Sequence, residues 1–211
     1  MRRPHARASA ALAGLAAVLL TVTGCGGGED ASSPPTATGP DINQAPASVT
    51  WRKWQGVALP IGAKDGPKRT DVAASGYTRS PQGAALAAIQ HSVRTSLAPD
   101  DSWPKIAAQS LAEGPGKNEW VTARVLVSIK KTDPAVAPKI SGYKITDWTP
   151  DRSSITVFTT YPDASVLATD TVVVWIGDDW RLMFNDPATK TVFQHDIPSV
   201  PADAVRLEAK S

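Results

Sequence analysis

Between Ile140 and Phe184 the sequence reads as four short runs of β-branched and aromatic residues, cut apart by turn residues. The runs are Ile140 to Trp148, Ser154 to Tyr161, Val166 to Ile176 and Trp180 to Phe184. Such runs favour strands because branched and aromatic side chains pack well on a pleated surface. Thr149-Pro150-Asp151, Pro162-Asp163-Ala164 and Gly177-Asp178-Asp179 separate them. Connections this short make sequential strands antiparallel neighbours. A meander of four strands is therefore expected, and whatever precedes it must cover one face of that sheet. Thr191 to His195 offers an edge strand, and proline-rich coil follows it.

What precedes the meander reads as helical. Ser80-Pro81 has the form of a helix start, with a hydroxyl to cap a backbone N–H and a proline where no donor is needed. Leu86, Ile89, Val93 and Leu97 then recur at helical spacing, and Ala84, Ala85, Ala87 and Ala88 allow close approach. His91, Arg94 and Thr95 fall off that stripe. Asp101-Ser102-Trp103-Pro104 starts a second, shorter helix running towards Ala112, and Gly114-Pro115-Gly116 breaks it. Residues 119–131 fit either a strand or a helix, since a run this short matches both periods. Helices followed by a meander imply an α+β fold.

The N-terminus carries a different message. Arg2, Arg3 and Arg7 precede an apolar stretch from Ala10 to Val22 that is too short for a membrane span. Val22-Thr23-Gly24-Cys25 resembles the lipobox of bacterial prolipoproteins, which implies cleavage before Cys25 and a diacylglyceryl group on its thiol. Two acyl chains hold a protein stably, at about 0.8 kcal/mol per buried methylene. The expected location is the outer face of the cytoplasmic membrane, lipid-anchored and extracytoplasmic. Cys25 is the only cysteine, so no intramolecular disulfide can form and the domain depends on its own core. Losing Arg2, Arg3 and Arg7 from 22 basic residues leaves 19 against 20 acidic ones, a net charge of −1. That balance argues against a nucleic-acid partner, which needs a basic face.

Residues 25–49 are rich in Gly, Ser, Thr, Pro and Ala, lack aromatics, and read as a disordered tether. Residues 50–79 read as an extended arm and loop packed on the domain. Within it Trp51 and Trp54 are either a partner-binding patch or partly buried anchors. Residues 80–200 are the expected α+β domain, and 201–211 a flexible tail.

Trp175-Ile176-Gly177-Asp178-Asp179-Trp180-Arg181-Leu182 is similar to the closing hairpin of the nuclear transport factor 2-like (cystatin-like) cone. Gly76-Tyr77-Thr78-Arg79-Ser80-Pro81, Gly114-Pro115-Gly116 and Ile140-Ser141-Gly142-Tyr143 resemble a family of actinobacterial envelope proteins associated with conjugative elements. The resemblance implies helices packed on a curved, four-stranded antiparallel sheet, and it favours helix for residues 119–131. It also implies a setting in conjugation or type IV-like secretion, although scaffold subunits with this cone usually carry a membrane helix.

No catalytic constellation emerges from the sequence. Ser102-Trp103-Pro104-Lys105 has the S-x-x-K spacing of penicillin-recognising enzymes, yet Lys131-Thr132-Asp133 and Lys190-Thr191-Val192 only approach their other motifs. Ser102 fits a helix cap better. His91 and His195 lack metal-ligand spacing, and Asp178-Asp179 reads as turn chemistry. The expectation is a non-enzyme with no metal and no cofactor. Two readings remain. One is a docking lipoprotein with protein partners in the envelope. The other is a ligand-binding lipoprotein whose pocket is lined by Trp103, Trp120, Trp148 and Trp175, the competing role of those residues being to fill the core.

Overall fold

The expected meander forms the frame of the computed structural model, which describes residues 39–130 and 133–209. Its four strands are β5 (Lys139–Trp148), β6 (Arg152–Thr160), β7 (Val166–Ile176) and β8 (Asp179–Met183), each antiparallel to the next. Before them come the hairpin β1 (Val49–Trp54) and β2 (Val57–Gly62), and a small pair, β3 (Arg69–Thr70) and β4 (Ala74–Ser75). Helices α1 (Pro81–Ser96), α2 (Trp103–Ser110) and α3 (Pro115–Arg124) follow. After the meander come β9 (Gln194–Ile197) and β10 (Val205–Arg206). The fold is α+β with an antiparallel main sheet.

That sheet has six strands, not the expected four. β10 pairs with β5, and β9 pairs with β7, giving the order β10-β5-β6-β7-β8 with β9 beside β8 on the same edge of β7. β5 has register shifts between Ile140 and Gly142 and between Ile145 and Asp147, which bend the strand. β10 comes close at the first of these: a Cβ on Gly142 would lie 2.5 Å from the Val205 carbonyl oxygen.

α1 crosses one face of the sheet and starts as its sequence predicts, with the Ser80 hydroxyl accepting from Gly83 N–H and Pro81 in the first turn. Its alanines and Leu86 and Ile89 are fully buried together with Ile155, Val173, Trp180 and Tyr143. The expectation that His91, Arg94 and Thr95 lie off the buried stripe is corrected: all three are buried. The cause is non-local. The β1–β2 hairpin packs on α1 and brings Trp54 to Arg94, while Tyr77 and Trp180 enclose His91. Arg94 is accommodated by donating to Gln90 Oε1 at 3.0 Å and to the carbonyls of Asp71 and Val72 at 2.9 and 2.8 Å, with its guanidinium 5.0 Å from the Trp54 ring centre.

Three boundaries shift. The signal, Cys25 and residues 26–38 lie outside the described residues. Residues 39–48, assigned to the tether, belong to the domain: Pro46 is buried, and Gln82 donates to the carbonyls of Asp41 and Gln44. The tail is not loose either. Val205 and Leu207 are buried, and Phe158, Val166 and Ala168 on the second face of the sheet pack under Val200. Residues 119–131 are helical only to Arg124.

Candidate functional site

β8 and β9 lie end to end along one edge of β7, and the chain between them leaves the sheet. Met183 is opposite Val172 and Gln194 is opposite Thr169. Only Asp170 and Thr171 of β7 separate those registers, yet ten residues, 184–193, join the two strands. A two-residue link would continue the strand, so this excursion is a compact surface loop of the kind that carries function. Asp170 N–H holds its far end by donating to Phe193 O at 2.8 Å. Asp186 caps a single 3-10 turn, Pro187–Thr189, through Ala188 N–H at 2.9 Å.

The excursion walls a cleft of about 400 Å³. Opposite it stand Ser92, Thr95 and Ser96 of α1 and Gly116, Glu119 and Trp120 of α3, while Thr169, Thr171 and Val172 of β7 and Leu182 of β8 line it from the sheet. α3 comes this close because of Gly116. A Cβ there would overlap the Asn185 carbonyl oxygen and sit 2.7 Å from Phe184 Cβ. Trp120 therefore stacks on Phe184, with ring centres 6.3 Å apart and planes 30° from parallel. Phe193, half exposed at 50%, closes the outer side. Among the described residues, carboxylates of Glu119, Asp170 and Asp186 ring the cleft against a single ammonium, Lys190. Asp170 accepts from Thr156 Oγ1 at 2.6 Å and lies 3.4 Å from His195 Nε2.

Of the four tryptophans expected to line a pocket, Trp120 lines this cleft. Trp103 touches it edge-on, with ring centres 6.1 Å apart, but faces a neighbouring depression beside Arg124. Trp148 is half-buried at the end of β5, and no hydrogen-bond partner among the described residues reaches its Nε1. Trp175 packs edge-on against Trp180 at 5.4 Å, with the Arg79 guanidinium 5.5 Å from its ring centre, and does not line the cleft. Trp51 and Trp54 are half-buried and packed against the core. Ser102 stands at the N-cap of α2 without a side-chain cap bond. Asp179 does more than serve a turn: its carboxylate accepts Gly76 and Tyr77 N–H at 2.7 and 3.1 Å, tying the β7–β8 hairpin to the start of α1.

Sequence reasoning missed Phe184 and Phe193. The available signal was an aromatic pair bracketing Asp186-Pro187, one at the end of the last meander strand and one in the expected edge strand. It also missed three neighbouring exposed residues, Val125, Leu126 and Val127, at the end of α3.

The sequence matches the family described as a domain of unknown function, DUF8175, over residues 24–200. The chain belongs to that family. This DUF8175 match contains α1, α2 and α3, the meander, the excursion and β9, so every wall of the cleft lies inside it. No curated protein and no solved structure matches the chain. Among the described residues no helix is long and apolar enough to cross a membrane.

Proposed function

We propose that the chain is a non-catalytic lipoprotein of the bacterial cell envelope. In this reading a diacylglyceryl group on Cys25 anchors it to the outer face of the cytoplasmic membrane, and the cleft docks a protein segment. The observation that carries the docking reading is the excursion 184–193, which leaves a sheet edge to wall an apolar trough open to solvent. The groups around the trough suit binding better than turnover. Asp186 is committed to its own turn, and Asp170 to Thr156 and the strand edge. The aromatic walls supply non-directional contact, which is what an extended apolar segment needs.

The nuclear transport factor 2-like cone belongs to the same proposal. Its support is the order of elements, three helices and then a meander, with α1 laid over a sheet whose β5 is bent by two irregularities. An accessory role in conjugation or type IV-like secretion is the setting that the motif resemblance implies.

A second reading, a small apolar ligand in the cleft, is favoured by its size, since ligand sites fall at roughly 300–1,000 Å³. One experiment separates the two. A photo-crosslinking residue at Phe193 in the full-length, lipidated protein, irradiated in native membranes, is expected to capture a protein of defined mass. The same residue at exposed Lys139 serves as the control. Capture of lipid or small molecules alone overturns the docking reading. Mass spectrometry of the N-terminal peptide tests the anchor independently: an unmodified Cys25 thiol sinks it.

A further inference from the structure

We propose that the cleft's occupant is a second copy of this chain, with residues 125–130 of each copy seated in the cleft of the other. This rests on the docking reading and names its partner.

The segment after α3 is an unusual surface feature. Val125, Leu126 and Val127 are 61%, 83% and 52% exposed. Single exposed apolar residues are ordinary, but three in sequence form a patch that calls for cover. Nor are they slack loop. Arg124, itself buried, donates from Nε and Nη2 to Ala98 O at 3.2 and 2.7 Å, from Nη2 to Asp100 at 2.8 Å, and from Nη1 to Val127 O. Asp100 also accepts from Ser128 Oγ at 2.7 Å and Ile129 N–H at 2.8 Å, and its own N–H donates to Ile129 O at 3.0 Å. The turn is thus fixed at its base by a buried cation while its apolar tip points into water. Ordering a binding segment in advance removes part of the entropy cost of docking.

The tip and the cleft match in chemistry. Among the described residues, the cleft is an apolar trough ringed by three carboxylates and one ammonium. The tip presents three aliphatic side chains followed by exposed Lys130. They also match in placement. Gly116, Glu119 and Trp120 wall the cleft from α3, and the tip begins where that helix ends. Because donor and acceptor surfaces adjoin on one helix, a two-fold axis lets each copy give a tip and receive one. Such an interface closes on itself rather than growing into a filament.

The test uses the chain from residue 25 onward with Cys25→Ala, so that acyl chains do not drive association. Its mass is followed by analytical ultracentrifugation from about 1 μM to about 1 mM. A reversible monomer–dimer equilibrium is expected. Leu126→Asp should weaken it at least tenfold, and Lys130→Glu and Glu119→Lys should each weaken it. The double variant Lys130→Glu with Glu119→Lys should recover most of the loss. All three positions are exposed, so an unchanged urea midpoint separates lost pairing from lost folding. A monomer at every concentration overturns the proposal, as does a dimer indifferent to Leu126→Asp or a double variant no better than the singles. Binding of the monomer to phosphatidylglycerol vesicles that Leu126→Asp abolishes would assign the tip to a lipid surface and overturn self-pairing. Capture of a different envelope protein at Phe193 by a monomeric chain would keep the docking reading while removing this partner.

Discussion

His91 is a neutral base sealed in the core. Its Nε2 lies 3.0 Å from Trp180 O, and its ring meets Tyr77 edge-on at 5.5 Å. A carbonyl can only accept, so Nε2 carries the proton and Nδ1 is left as a buried acceptor. Burial lowers its pKa from 6.5 to about 4, an effect that the Trp180 carbonyl and the Asp179 charge only partly offset. The sign of the consequence follows. The unfolded chain takes up a proton below about pH 6.5 and the folded one only near 4, so acid favours unfolding. The stability this neutral ring contributes is complete above pH 6.5 and erodes as pH falls towards 4, by at most about 1.4 kcal/mol per unit and roughly 3 kcal/mol in all. Urea unfolding at pH 7.5, 5.5 and 4.5 should show that decline. His91→Gln, which keeps a donor for Trp180 O, should flatten it. An equally steep decline in the variant would assign the acid sensitivity elsewhere. Asp100, held well below the usual carboxylate range chiefly by Arg124, Ser128 and Ile129 N–H, acts only at lower pH.

At the scale of elements, α3 decides whether the cleft exists, and Gly116 decides where α3 sits. A helical glycine is ordinarily worse than alanine by about 1 kcal/mol, so Gly116→Ala would stabilise an isolated helix. Here the added methyl meets Phe184 and the Asn185 carbonyl. The overlap should reverse the sign, costing about 1–3 kcal/mol and parting Trp120 from Phe184. Denaturation and a changed near-ultraviolet aromatic signal would record both effects; a more stable variant with an unaltered signal would remove Gly116 from the architecture of the cleft. This contact also shows what a sequence discloses. The four central strands lie within a few residues of their expected bounds, because period-two patterning and turn chemistry are local. The start of α1 is local too, in Ser80 and Pro81. The burial of Arg94 depends on a hairpin some forty residues upstream and that of His91 on Trp180 far downstream, and no helical period encodes either. The seven tryptophans point by composition to a packed core, yet only Trp180 is fully inside, and two phenylalanines at strand ends wall the cleft. Their place depends on the register of β9 against β7, which a strand of four residues leaves weakly specified.

At the scale of the whole molecule, the last residues act as a clasp rather than a tail. After β9 the chain turns under the sheet, where Val200 covers Phe158, Val166 and Ala168, and then pairs as β10 with the bent start of β5. Arg206 donates to Val200 O at 2.9 Å, Leu207 N–H to Ser141 O at 3.2 Å, and Lys144 to Asp203 at 2.6 Å. Deleting residues 199–211 removes three buried aliphatic side chains, Val200, Val205 and Leu207. Each contributes about 1.5–3 kcal/mol, so the loss is roughly 5–9 kcal/mol from a domain whose total stability is of order 5–15 kcal/mol. The truncated chain should be marginally folded, and Leu207→Ala should lower stability by about 2–4 kcal/mol in a chain that still folds. The damage should also reach the cleft on the other side of β7. β9 is held by β7 along one edge and continued by the clasp at its end, and the excursion 184–193 is strung between β8 and β9. Loosening the clasp frees the far anchor of that loop, so hydrogen exchange at Phe193 and Gln194 should quicken in Leu207→Ala while the amides of β6 stay protected. Unchanged exchange at both residues would show that the two ends of β9 are mechanically independent.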